Sequence, residues 1–328
     1  MIWMSWRQFR TQAVVGAVAL TVLAICLVIL GMQLRHSYDA ALALCQGRGD
    51  GCAGVMNEFS QRYSTRLYLL DGLLIVVPGI LGTFWGAPLV ARELEAGTHR
   101  LVWNQSLTRR RWLAVKLLVV GVAAMAVTGL FSLLLTWAAS PYDQVTGDRF
   151  TGLLFGTRNL VPVAYAAFAV VLGAILGLTI RRTVPAMALT IVVFAVAQIA
   201  MPMLIRPHLL PPVSVTQPMT AETVRNLSSM KADATVRGVQ IPGAWVVSHG
   251  ELLTSNGEPV EPTRYHECVL LGPDAVPECL AGLDLHVEGA YQPADRYWSF
   301  QWLEAAIFLA LGGLLLGLGL WRIQGRFR

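Results

Sequence analysis

Residues 13–32 read AVVGAVALTVLAICLVILGM, a run of 20 positions without one charged side chain. At 1.5 Å of rise per residue, an α-helix of that length matches the roughly 30 Å hydrocarbon core of a bilayer. The run is continuous and does not alternate, which rules out a barrel strand. No water is available in lipid to satisfy exposed backbone groups, so the segment must be helical. Working outward, five further blocks share this character: Leu67–Val90, Leu117–Ala139, Leu160–Ile180, Val184–Ile205 and Phe300–Trp321. The expected fold class is an all-α integral membrane protein with six transmembrane helices.

Composition agrees. Hydrophobic residues make up 55% of the 328 and charged residues 14%, against roughly 25% charged in soluble domains. So few charges could not cover a soluble surface of this size. The net charge of +5 does not point to nucleic acid, because the basic residues sit beside the apolar blocks and form no basic tail. No nucleic-acid partner is expected; membrane lipid is.

Ahead of the first block, Met1–Gln12 interleaves Trp3, Trp6 and Phe9 with Arg7 and Arg10, the pattern of an amino-terminal interfacial helix. The apolar run behind it is too long for a signal peptide, no A-x-A site follows, and Ile25 is too bulky for a lipoprotein cleavage box at Cys26. An uncleaved anchor is expected. Met1–Gln12, Ala91–Lys116, Arg181–Thr183 and Arg322–Arg328 together hold 13 Lys/Arg in 48 positions. The short loops on the other side, Gln33–Arg66 and Ser140–Asn159, hold 6 in 54. Positive charge marks the cytoplasmic side, so both termini are expected in the cytoplasm of a multi-pass cell-membrane protein.

Four of the five cysteines then fall outside: Cys45 with Cys52, and Cys268 with Cys279. Two close loop pairs in an oxidising compartment are expected to form two local disulfides. His249, His266 and His286 follow no ligand spacing, so no metal site is expected. The chain divides into residues 1–205 with five spans, an extracytoplasmic domain of mixed structure at 206–299, and the last span with its tail at 300–328. Within that domain Ala244–Thr254 has strand-like content, and Ser255, Asn256 and Gly257 signal a turn.

The most polar stretch near the membrane is the cytoplasmic loop 91–116. Arg92–Thr98 reads RELEAGT, followed by His99, Arg100, the turn Ser106–Arg109 and Lys116. Glu93 and Glu95 suit the first turn of a short helix lying along the inner face, and Gly97 can end it. This pattern resembles the permease subunits of type-2 ABC transporters, which carry R-E-x-E-x-G-T after the second span, then an apolar stretch, a serine-containing turn and a lysine. Gln105 stands where that family often has proline. Six spans and both termini inside fit the same family, although the long loop before the last span exceeds its simplest members. The resemblance implies that Arg92, Glu93, Glu95, Gly97, Thr98, His99 and Arg100 form a coupling element docking on a separate ATPase subunit, with Arg181 and Arg182 as a second contact. It implies an exporter of an amphipathic or lipid-like substrate, built as a dimer of permeases, a homodimer rather than a heterodimer. The bland alternative is a solvated, positive-inside loop.

No G-x-x-x-x-G-K-[ST] phosphate loop is present, so this chain cannot cradle ATP. No cofactor is expected on it; ATP and Mg belong to the partner. No catalytic motif of the H-E-x-x-H or G-x-S-x-G kind occurs, and the chain is not expected to be an enzyme. Asp71 and Glu304 are the carboxylates inside spans. They are pathway candidates, although both lie near the outer end where they could reach headgroups. Gly82/Gly86, Gly173/Gly177 and Gly313/Gly317 have the spacing that allows close helix approach, within a subunit or at a dimer seam. Pro78, Pro88 and Pro162 are expected to kink or end their helices. The competing function is a membrane sensor or scaffold whose outer domain binds a ligand.

Overall fold

The computed structural model describes residues 2–46, 52–97, 108–147, 149–225, 229–230, 235–237, 243–247, 250–272 and 275–325. Among the described residues, six helical stretches are long and apolar enough to cross a membrane. They come from α1 (Ile2–Gln46), α2 (Cys52–Leu81) continuing into α3 (Ala87–Glu95), α4 (Arg109–Thr146), α6 (Val161–Ile180), α7 (Thr183–Ala200) and α11 (Tyr297–Gly325). A short helix, α5 (Gly152–Thr157), precedes α6. The amino-terminal turns expected as a separate interfacial helix run straight into the first span. Residues 2–12 contain neither Gly nor Pro to break the helix.

The chain forms two compact units. The helical unit comprises 1–146, 152–206 and 299–328. Its central element is α6, most of which is buried, whereas α1 and the stretch containing α7 are mostly exposed. Val184, Val196, Met203 and Leu204 on and just beyond α7 are well exposed, as lipid-facing side chains must be. Exposed Trp302 and Trp321 on α11 lie about 28 Å apart along its axis. That separation suits the two aromatic belts of a bilayer.

Glycines set the closest contact in the unit. A Cβ at Gly173 would lie 2.2 Å from the Gly82 carbonyl oxygen, and one at Gly177 would lie 2.5 Å from that of Ala87. Reciprocally, Cβ atoms at Gly82 and Gly86 would meet the carbonyl oxygens of Ala169 and Val170. Two of the three glycine pairs therefore face each other inside one chain; Gly313 and Gly317 have nothing within 4 Å. The seam coincides with a π-helical turn at Gly82–Gly86 joining α2 to α3. Pro88 follows immediately and cannot donate to the carbonyl four residues back, so a wider turn there keeps the axis continuous. A second π turn, Met201–Ile205, contains Pro202 near its start.

The other unit comprises 147–151 and 207–298. Its strands are β1 (Val213–Pro218), β2 (Ser229–Met230), β3 (Thr235–Arg237), β4 (Trp245–Val246), β5 (Gly250–Leu253) and β6 (His286–Gln292). They form one antiparallel sheet in the order β1-β6-β5-β3-β2, with β4 also on β6. Helices α8 (Ala221–Arg225), α9 (Pro262–Leu270) and α10 (Val276–Ala281) add Val224, Tyr265 and Leu280 to a core with Leu252 and Val287. Cys268 on α9 is bridged to Cys279 on α10, Cα to Cα 5.5 Å. The expected turn is present: Gly257 takes φ +80, and Thr254 N–H donates to the Glu258 carbonyl.

Candidate functional site

Charged and polar side chains of the helical unit gather at its two ends. At one end α3 buries Ala87, Val90 and Ala91, and Ala87 and Ala91 pack with Ala186 of α7. That packing turns Glu93 toward α4, where its carboxylate pairs with Lys116; Lys116 also lies 4.8 Å from the Trp112 ring centroid. Glu95 points to the start of α7, accepting from Thr183 N–H (3.0 Å) and Thr183 Oγ1 (2.7 Å). Arg182, the N-cap residue of α7, makes no side-chain capping bond. Glu95 therefore supplies the missing cap from another span, satisfying an orphan amide at the positive end of the helix dipole.

Arg181 ends α6 in a left-handed conformation, φ +59, and Gly97 ends the α3 segment at φ +71. Arg92, Arg111 and Arg182 are exposed around this cluster. Thr98, His99 and Arg100 lie outside the described residues. One expectation needs correcting. Glu93 and Glu95 are not in the first turn of a helix lying along the membrane face. They occupy the last turn of α3, which continues span two through the π turn. Carboxylates are disfavoured at that end of a dipole, and Lys116 and Thr183 compensate them.

At the opposite end lie two buried arginine–carboxylate clusters. Glu304 of α11 accepts from Arg206 Nε (2.8 Å) and Nη2 (3.1 Å), and Tyr165 of α6 donates to the same carboxylate. The Arg206 guanidinium is 4.2 Å from the Phe155 ring centroid. Asp71 of α2 accepts from Arg158 Nη1 (2.6 Å) and Thr157 Oγ1 (2.8 Å), and Arg158 Nε lies 3.5 Å from Asp143. Both carboxylates are 0% exposed, which overturns the expectation that they reach the headgroups. A lone buried charge is too costly to keep, and each has an arginine folded in beside it. Sequence reading missed these partners because Arg158 and Arg206 sit just beyond the expected span boundaries and read as loop residues. The stretch Ser140–Asn159, expected as a short outer loop, is also largely ordered inward: α4 runs to Thr146, and Leu154, Phe155, Thr157 and Arg158 are buried.

Cys45 and Cys52, where α1 ends and α2 begins, are bridged with Cα atoms 4.8 Å apart. No group of His, Cys, Asp and Glu suited to a metal occurs among the described residues. Residues 17–206 match the model of a family described as ABC-2 membrane transporter related. No curated protein and no solved structure matches the chain.

Proposed function

The chain belongs to the ABC-2 membrane transporter related family, and from that premise we propose that it is the membrane half of an ATP-driven exporter of an amphipathic or lipid-like substrate. It is an ABC transporter permease subunit and a multi-pass membrane protein. In this reading ATP and Mg are bound by a separate ATPase subunit, two permease chains pair as a homodimer in the cell membrane, and both termini face the cytoplasm.

The observation that carries the reading is the clasp at the Glu95 end. Glu95–Thr183 joins the end of span two to the start of span five, and Glu93–Lys116 joins it to span three. Displacement applied to Arg92–Gly97 therefore reaches three spans at once. Continuity of α2 with α3 makes this a rigid lever; a solvated topological loop would need neither clasp. The exposed cations Arg92, Arg111 and Arg182 suit a partner surface bearing carboxylates.

The test is reconstitution of the chain with the ABC ATPase that co-purifies with it, followed by vanadate-sensitive ATP hydrolysis and movement of a fluorescent phospholipid between leaflets. Breaking the clasp with Glu95→Ala and Thr183→Val should leave the complex assembled while lipid movement falls at least tenfold. Unaltered lipid movement in that variant would sink the coupling role.

A further inference from the structure

We infer that Gly152–Leu160 is a displaceable plug at the Glu304 end of the transport pathway, an inference that rests on the permease reading above. Its middle, residues 154–158, is buried, yet it is held differently from the spans around it. Where α2 meets α6, glycine sits on backbone with no polar intermediary. The plug is instead tied by polar side chains reaching in from three spans. Ser132 Oγ of α4 lies within donor distance of the carbonyls of Thr157 (3.0 Å) and Asn159 (3.3 Å). Gln301 of α11 donates from Nε2 to the Phe155 carbonyl (3.1 Å) and accepts at Oε1 from the amides of Leu160 and Val161 (3.2 Å each). Asp71 of α2 holds Thr157 and Arg158.

This mode of attachment suits reversible release. A hydrogen bond exchanged for one to water costs little net free energy, whereas a dry apolar contact loses its whole burial when pulled apart. The closed arrangement also leaves Asp71 Oδ2 and Arg158 Nη2 buried without a hydrogen-bond partner in the protein. Both atoms would gain partners once water follows the segment outward, which lowers the cost of opening. The backbone is left-handed at Gly147 (φ +66) before the plug and at Asn159 (φ +60) within its last turn. Glycine and asparagine tolerate that conformation best, so each end can serve as a pivot. The segment consists of the short helix α5 and the turn 158–160; backbone in that turn is stable at membrane depth only while protein covers it, and a pathway that opens here must first move this segment.

The experiment is state-dependent thiol labelling of the full permease–ATPase complex in lipid nanodiscs. Cys26, the unbridged cysteine, is removed as Cys26→Ser, and the reporter is Thr157→Cys, a near-isosteric change at a fully buried position. Ser132→Cys on α4, also fully buried, reports the same event should Thr157→Cys fail to fold. A charged, membrane-impermeant maleimide should label the reporter at least tenfold faster in the ATP–vanadate-trapped complex than without nucleotide. Equal rates in the two states, whether fast or slow, overturn the plug while the permease reading stands. Failure of the ATPase to bind or trap nucleotide overturns the permease reading and the plug with it.

Discussion

The two ends of the helical unit solve the problem of charge near a membrane in opposite ways. At the Glu304 end each carboxylate is fully enclosed with an arginine, one of them through two parallel bonds and a stacked ring. At the Glu95 end the enclosure is graded: Lys116 is buried with Glu93 half-buried beside it, and Glu95 with Thr183 lies at the surface. Enclosed bidentate pairs resist rearrangement, since separating them strands charge in a medium of low dielectric. The exposed clasp between Glu95 and Thr183 gives way at small cost. One end is thus built to hold helices together, the other to take up and pass on movement. The plug is the exception that lets the firm end open, because its polar ties can be traded for water.

The largest effect is expected where enclosure is most complete. Glu304→Leu alone should destabilise the unit by about 3–5 kcal/mol, because it strands Arg206. The double change Glu304→Leu with Arg206→Met should recover most of that loss. Chemical unfolding in detergent micelles measures both, and a single variant as stable as the double would erase the contrast between the ends. Next comes the seam joining them. Gly173→Val drives a side chain into the Gly82 carbonyl and should cost about 2–3 kcal/mol, whereas Gly317→Val, facing open space, should be nearly silent in the isolated chain. A large loss of paired chains with Gly317→Val would place that glycine pair at a subunit seam. At the Glu95 end, Glu93→Gln should cost about 1–2 kcal/mol, since Lys116 keeps a neutral acceptor; the same unfolding assay decides.

Much of this plan was legible in the sequence, and the reasons are local. Six long apolar runs, only two of them carrying a single carboxylate, announce six spans because lipid forces each to satisfy its own backbone. The cysteine pairs were readable from spacing, as were Gly257 in its turn and Gly97 at a helix end. What escaped was what depends on partners far along the chain. Nothing near Asp71 or Glu304 reveals that Arg158 and Arg206 fold in beside them. Hydropathy reads the polar ties of residues 152–160 as a loop, since Thr157, Arg158 and Asn159 look solvated until Asp71, Ser132 and Gln301 are brought to them. The motif at Arg92–Thr98 was visible as a pattern, but the direction of its carboxylates was not, because the π turn that carries α2 into α3 leaves only a Gly–Pro signature.

The smallest stability effect and the sharpest functional one should come from the same substitution. Glu95 is exposed, and its bonds to Thr183 compete with water, so Glu95→Gln should scarcely move the unfolding midpoint. A neutral amide can still accept one hydrogen bond from the α7 amide, but it no longer places a full negative charge on that helix N-terminus. If the Glu95 end is the compliant one, the weakened clasp should let α3 move without carrying α7. ATP hydrolysis by the reconstituted complex would then continue while lipid movement per ATP falls severalfold. The companion variant Thr183→Ser keeps the donor pair and should behave as the parent. Equal coupling ratios for Glu95→Gln and Thr183→Ser would mean that the clasp only tidies a helix end, and that work enters the spans elsewhere.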